Sequence, residues 1–172
     1  MAGQHVLELG CGCGSVGIYA AASGAATVLL TDGGGDDLLQ VAAGNAGRNH
    51  RLISGGRVDV RPHQWGELDL ALPPRLDYVL GSDVTYNRQS LRPLCRSIRW
   101  LLDERRPRVV LAHEQRHSDG LTDFREAAAA RGLKVSCIWR EGGSGPAADG
   151  AAYEDAIISR GTICLLEVKD DS

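Results

Sequence analysis

The sequence has no contiguous run of Lys or Arg and no long apolar segment. Its 19 Lys and Arg residues are outnumbered by 22 Asp and Glu residues, which gives a net charge of −3. Proteins that bind nucleic acid usually present a basic face, so this composition argues against a nucleic-acid partner. A membrane-spanning helix needs about 20 consecutive apolar residues, and no run approaches that length. We therefore expect neither a nucleic-acid nor a membrane partner.

Neither paired metal-binding cysteines nor a leader sequence is predicted from the sequence. The sequence has five cysteines, an odd number. Cys11 and Cys13 are too close together for a C-x-x-C zinc pair and no matching pair follows, so we expect no metal site. No basic segment precedes the first apolar stretch, and no signal peptide is expected. The cysteines suit reduced thiols, which predicts a cytoplasmic or nuclear protein.

What the chain does contain is a regular alternation of short apolar runs and helical patterns. Its 172 residues predict a single domain over residues 1–172, because that length buries a substantial core. We predict strands at 6–9, 27–32, 57–61, 76–80, 108–112, 133–139 and 162–168, and helices at 18–22, within 33–49, at 90–103 and at 121–131. A loop without a clear helix, at 141–152, joins the last two strands, so that pair is most easily antiparallel. The pattern predicts a doubly wound, Rossmann-like α/β fold with seven strands, mostly parallel with an antiparallel last strand.

A glycine-rich turn follows the first strand. Residues 8–14 are Glu-Leu-Gly-Cys-Gly-Cys-Gly. Glycines at these positions let backbone N–H groups come close to a ligand, and the following helix start offers further donors. The dinucleotide-binding pattern G-x-G-x-x-G would need its third glycine at Ser15, whereas here it is Gly14. The pattern E-x-G-x-G-x-G resembles motif I of the class I methyltransferases that use S-adenosylmethionine (SAM); a glycine loop of another α/β domain is the alternative.

Polar and aromatic residues follow the predicted strands at their carboxyl ends, where ligands of open α/β sheets bind. Asp32 ends the second strand about twenty residues after the glycine turn, where such folds use an acid to bind ribose hydroxyls. His113 and Glu114 end a later strand and are secondary candidates. The other histidines, at positions 5, 50, 63 and 117, are expected to be ordinary surface or loop residues. The full set at the strand ends is residues 10–14, Asp32, Trp65, residues 82–86 and residues 113–116.

Together these motifs resemble the family-16 group of seven-β-strand methyltransferases, which mainly methylate protein lysines. The resemblance covers nearly the whole chain and includes the D-x-x-Y signature of that group, formed by Asp83 and Tyr86; the motifs together are far more specific than any one of them alone. The matching stretches are residues 6–14 (VLELGCGCG), residues 30–33 (LTDG), Asn45 with Asn49, residues 65–66 (WG) and residues 82–86 (SDVTY).

The resemblance implies SAM as cofactor and assigns a role to each motif. The glycines would line the methionine part of SAM, and Glu8 would brace their turn. Asp32 would bind the ribose, and Trp65 would lie near the adenine. Asp83 and Tyr86 would face the methyl group and the target side chain as catalytic residues. The implied cofactor-binding set is Glu8, Gly10, Gly12, Gly14, Asp32, Trp65 and Ser82.

Each role has a structural alternative. Asp32 could cap the next helix, and Trp65 could belong to the core. Asp83 could be a helix N-cap, and Tyr86 could serve packing. At the level of function, the alternatives are methylation of a histidine or of a small-molecule amine, and a non-catalytic domain of this fold that binds a partner.

The beginning of the chain leads to one further expectation. Residues 1–4 precede the first strand, whereas members of the resembled family usually carry an upstream segment that covers SAM and shapes the substrate entrance. Because water exclusion is part of how such sites work, we expect a shortened form with weak SAM affinity and slow turnover, unless a partner or a second copy supplies the cover.

Overall fold

The computed structural model describes residues 1–53, 55–115, 120–141 and 162–171. The expected loop beyond Glu141, together with Arg116 and His117, lies outside them. Within the described residues, no helix is long and apolar enough to cross a membrane. The strands are β1 (His5–Leu9), β2 (Thr27–Asp32), β3 (Arg57–Pro62), β4 (Tyr78–Ser82), β5 (Arg108–Glu114), β6 (Leu133–Arg140) and β7 (Ile163–Asp170); the helices are α1 (Ser15–Ala22), α2 (Asp36–Arg48), α3 (Arg88–Arg105) and α4 (Gly120–Ala129).

The seven strands form one sheet in the order β3-β2-β1-β4-β5-β7-β6. β7 pairs antiparallel with both β5 and β6, and the other four pairings are parallel. This confirms the predicted fold class, including the single antiparallel strand at the end of the chain. The strand order reverses between β1 and β4, so the crevice at the carboxyl ends of these two strands is where the fold positions a ligand.

Two apolar clusters cover the sheet, one on each face. The larger contains Leu7 and Leu9 of β1 with the buried side of α3 and α4, and the smaller contains Val6 with α1 and Ala42 of α2. A strand covered on both faces is apolar at nearly every position, which explains the sequence of β1. Glu8 is the polar exception in that strand, and it is 2% exposed.

Local capping residues determine where two helices begin. α1 starts at Ser15, three residues before the predicted boundary, because Gly14 takes the N-cap position with φ 82°. α3 starts at Arg88 because the side chain of Asn87 accepts a hydrogen bond from the N–H of Gln89, at 3.0 Å. Asn is among the preferred N-cap residues for this reason.

Candidate functional site

The glycine turn at residues 10–14 closes on itself at the carboxyl end of β1. The Gly14 N–H donates to the carbonyl of Cys11 at 2.8 Å. Gly10, Gly12 and Gly14 all have φ between 53° and 82°, a region that disfavours other residues. A Cβ at Gly10 would lie 2.8 Å from Trp65 and 2.9 Å from Val84, whereas no described atom lies within 4 Å of one at Gly12. The turn is therefore packed at its first glycine and open at its second.

Asp32 joins this turn to the end of β2. Its Oδ2 accepts a hydrogen bond from the Gly12 N–H, and its Oδ1 accepts one from the Gly34 N–H, both at 2.8 Å. The N-cap of α2 is Gly35, so Asp32 is not the N-cap of that helix. A carboxylate offers about four acceptor positions, and the two hydrogen bonds from Gly12 and Gly34 occupy two of those of Asp32.

Glu8 lies beneath the turn. Its Oε2 accepts a hydrogen bond from the N–H of Gly17 in α1 at 2.8 Å, which ties the helix start to β1. Burial raises the pKa of Glu8 from 4.5 to about 7; the Gly17 bond lowers it, and the charge of Asp32 raises it. Burial also raises the pKa of the neighbouring Cys11 thiol to about 12, so this thiol is protonated at neutral pH. The position of Glu8 suits a bracing role, and direct contact with a cofactor stays a prediction.

Trp65 lies against the glycine turn and the core at once. It is partly buried, packs against the larger cluster and lies close to Gly10, where it fills the space that a side chain would occupy. Its loop is fixed to α3 because the Gly66 N–H donates to Oγ of Ser97 at 2.9 Å. Trp65 thus packs against the core, as the structural alternative stated. Contact of Trp65 with adenine stays a prediction.

His63 corrects one sequence expectation. It is 3% exposed rather than a surface residue, and its Nε2 lies 3.3 Å from Oγ of Ser97. Burial lowers its pKa, although the negative charges of Glu67 and Asp69 oppose that effect. His63 does lie in a loop, one of the two expected settings, but it is buried because the loop after β3 folds back onto α3, a contact that no local pattern predicts.

The segment at residues 82–86 lies beside the glycine turn, since Val84 contacts Gly10. Ser82 ends β4, and the Asp83 N–H donates to the carbonyl of Ala112 at 3.0 Å. Asp83 has φ 56°, an unusual conformation that Asp and Asn tolerate better than most residues. The N-cap of α3 is Asn87, not Asp83. Tyr86 is 62% exposed, so it does not serve core packing.

Sequence reasoning missed a buried hydrogen-bonded chain behind this segment. Thr85 Oγ1 lies 2.6 Å from Nδ1 of His113, and His113 Nε2 lies 2.9 Å from Oε1 of Gln115. All three side chains are at most 4% exposed. Only strand pairing brings these residues together, so no sequence signal beyond the strand-end position of His113 could have found them.

The residues present fit SAM. The space above Gly12, the remaining acceptor positions of Asp32 and the aromatic ring of Trp65 lie along one edge of the sheet. Gly14 also begins α1 without a side-chain cap, and a helix N-terminus favours a carboxylate, although the Gly17 N–H is already bound to Glu8.

Comparison with known proteins points to one family. The model of the lysine methyltransferase family matches residues 1–129. EEF1A lysine methyltransferase 3 of Mus musculus is 34% identical over 124 residues, covering 71% of this chain and 50% of that protein. Calmodulin-lysine N-methyltransferase of Arabidopsis thaliana is 26% identical over 132 residues, covering 76% of this chain and 43% of that protein. The chain thus spans half or less of the length of these two relatives.

The fold is also similar to that of solved structures. A putative S-adenosylmethionine-dependent methyltransferase from Listeria monocytogenes superimposes with a TM-score of 0.58 at 16% identity, covering 99% of this chain and 92% of that one. Since the family model covers three quarters of the chain, the chain belongs to the lysine methyltransferase family.

Proposed function

We propose that this protein transfers a methyl group from SAM to the side-chain nitrogen of a lysine in a protein substrate. The observation that carries the proposal is the bond between the Gly12 N–H and Asp32, which joins the turn after β1 to the end of β2. The turn lies beside the segment that contains Asp83 and Tyr86. A cofactor held over the turn would have its reactive end directed at that segment. The substrate class is supported by the family to which the chain belongs.

SAM supplies an electrophilic methyl group on a positively charged sulfur. The glycine turn and the start of α1 would hold its amino-acid part, and Asp32 would hold its ribose. Trp65 would close the site beside Gly10 and exclude water from it. In the transfer, the lone pair of a neutral lysine nitrogen would form the new bond to the methyl carbon as the sulfur–carbon bond breaks. The amine would have lost its proton to water beforehand, and the product would be a methylammonium.

The lysine must first become neutral. With a pKa near ~10.4, only about one amine in ~2,500 is neutral at pH 7, and reaching that form costs roughly 4.6 kcal/mol. Asp83 cannot remove this cost, because a nearby carboxylate favours the charged amine. Its role is to capture and orient the amine and to stabilise the positive charge that builds on the nitrogen. Proximity of the sulfonium and exclusion of water lower the lysine pKa, and alignment supplies much of the acceleration.

The proposal also places the activity in one domain over residues 1–172 of a cytoplasmic or nuclear protein. The test is incubation of the purified chain with labelled SAM and a total cell extract, followed by mass spectrometry of the labelled proteins. Label on a lysine nitrogen supports the proposal. Label on histidine, arginine or a small molecule would contradict lysine as the methylated group. SAM binding with no transfer to any component of the extract would favour a non-catalytic domain.

A further inference from the structure

One exposed strip of α3 carries three arginines at regular spacing. Arg88, Arg92 and Arg96 are all exposed, and residues four apart lie on the same helix face, about 6 Å from one another along the axis. We call these three residues the α3 arginine strip. The opposite side of the helix, which includes Leu91 and Leu94, is buried in the larger core cluster.

The charge of this strip is largely uncompensated. Arg88 Nη2 lies 2.7 Å from Oδ1 of Asp123, yet its side chain remains 78% exposed. The side chains of Arg92 and Arg96 make no hydrogen bond or ion pair with any other residue that the structure describes. By contrast, Arg99 on the neighbouring face is paired with both Asp103 and Asp170.

The strip opposes the stability of its own helix. Like charges four residues apart repel, and cations near a helix N-terminus add to the positive end of the helix dipole. The first turn of α3 contains no acidic residue, and residues 88–102 contain none either. A helix selected for stability alone would carry acids there, as α2 does with Asp36 and Asp37 in its first turn. The arrangement therefore indicates a function that needs a positive surface.

The position of the strip relates it to the site. α3 begins two residues after Tyr86, at the carboxyl edge of the sheet, and runs away from that edge. A polypeptide whose lysine enters beside Asp83 can continue along this helix. We propose that the α3 arginine strip docks an acidic segment flanking the target lysine of the protein substrate. This proposal rests on the proposed function and narrows its substrate class to proteins with such a segment.

Charge complementarity favours an acidic polypeptide over a nucleic acid. The strip is only about 12 Å long, and Asp103 and Glu104 follow it on the same helix. The chain as a whole carries a net charge of −3. A long polyanion would meet repulsion beyond the strip, whereas a few carboxylates on a short segment would not.

The test is peptide binding measured by fluorescence anisotropy with the full chain. The probe is a labelled peptide with one lysine flanked on one side by glutamates; its control has glutamines in their place. We expect the glutamate peptide to bind roughly tenfold more tightly at low salt, and the advantage to shrink as salt rises. Equal affinity for the two peptides would overturn the proposal, and so would tighter binding of a single-stranded RNA of equal charge.

A pair of double variants assigns the effect to the strip. Arg92→Gln with Arg96→Gln should abolish the preference for the glutamate peptide. The matched control, Arg51→Gln with Lys134→Gln, removes the same charge from exposed positions on other elements and should retain the preference. If both doubles lose it equally, the net charge and not the strip is responsible, and the proposal is wrong. If a melting experiment shows that the first double variant is unfolded, Arg96→Gln alone takes its place. We expect this single variant to lower the preference for the glutamate peptide at least twofold.

This test is separable from the test of the proposed function. Peptide binding requires no methyl transfer, and SAM binding is measured on the same samples by calorimetry. Loss of SAM binding with retained charge selectivity contradicts the proposed function alone. SAM binding and lysine methylation without charge selectivity contradict the docking proposal alone.

Discussion

The backbone N–H of Gly12 donates to Oδ2 of Asp32 across 2.8 Å, so the turn after β1 and the end of β2 are joined by a direct bond. The other oxygen of the same carboxylate accepts from the Gly34 N–H. Asp32 thus fixes both loops between which a nucleoside would lie. Asp32 therefore holds the two loops together, and we predict that it also binds the ligand. Measurements of stability and of ligand affinity separate these two contributions.

Asp32→Ala should weaken SAM binding about ten- to hundredfold, because loss of a hydrogen-bonding partner in a polar site typically costs ~1–3 kcal/mol. Titration calorimetry measures the affinity. Asp36→Ala is the control, since it removes an exposed acid from the first turn of α2 and should leave SAM affinity nearly unchanged. Unaltered SAM affinity in Asp32→Ala, or tighter binding of NAD than of SAM, would contradict the assignment.

Asp83→Asn should abolish methyl transfer and leave most of the SAM affinity. Asn is isosteric with Asp, and it tolerates the φ of 56° at this position better than Ala does. The variant therefore removes charge without adding backbone strain. Transfer assays and calorimetry on one preparation give both quantities. A fully active Asp83→Asn protein would rule out the role of the carboxylate in handling the amine.

Gly10→Ala should mainly lower the stability of the fold, whereas Gly12→Ala should mainly lower the affinity for SAM. Both place a side chain at positive φ, which costs about 1–2 kcal/mol. At Gly10 the new Cβ also meets Trp65 and Val84, and overpacking adds about 1–3 kcal/mol. Gly10→Ala should therefore be the less stable of the two in urea unfolding.

At Gly12 the new methyl group enters the open space assigned to SAM. Gly12→Ala should consequently lose more SAM affinity than its stability loss explains. Gly47→Ala serves as control, since its Cβ meets no described atom within 4 Å and alanine favours the α2 helix. If Gly12→Ala bound SAM normally, the open space above the turn would not be the methionine site.

Glu8 should make the free energy of unfolding decrease as pH rises. Its folded pKa of about 7 lies above its ordinary value of 4.5, so between these values the folded state keeps a proton that the unfolded state has released. Raising the pH through this window then favours unfolding. The wild type should lose on the order of 3 kcal/mol between pH 4.5 and 7 relative to Glu8→Gln.

Urea unfolding of the wild type and of Glu8→Gln across this pH range measures the difference between their free energies of unfolding. The contributions of the other titrating groups cancel in this difference. Glu126→Gln, which changes an exposed acid on α4, should follow the wild type. Parallel pH profiles for wild type and Glu8→Gln would show that the Glu8 carboxyl titrates normally in the fold.

The sequence by itself determined the sheet and most of the strand-end residues. β2 was predicted at its observed bounds, and the antiparallel β7 followed from the absence of a crossover helix. These succeed because they rest on local signals: an apolar run bounded by glycine or acid, and the need of parallel strands for a long connection. The E-x-G-x-G-x-G spacing is likewise local, since φ at each glycine is a property of the turn.

Only the tertiary structure decided how those pieces meet. It placed Trp65 over Gly10, buried His63 against Ser97, and built the chain from Thr85 through His113 to Gln115 across two strands. It also determined which positive charges stay exposed: the sequence has no contiguous basic run, yet the helical period aligns Arg88, Arg92 and Arg96. Packing leaves that strip exposed, although Arg88 pairs with Asp123. Such contacts join residues far apart in sequence, so they follow from the burial of α3 and the pairing of β4 with β5 and not from any local pattern.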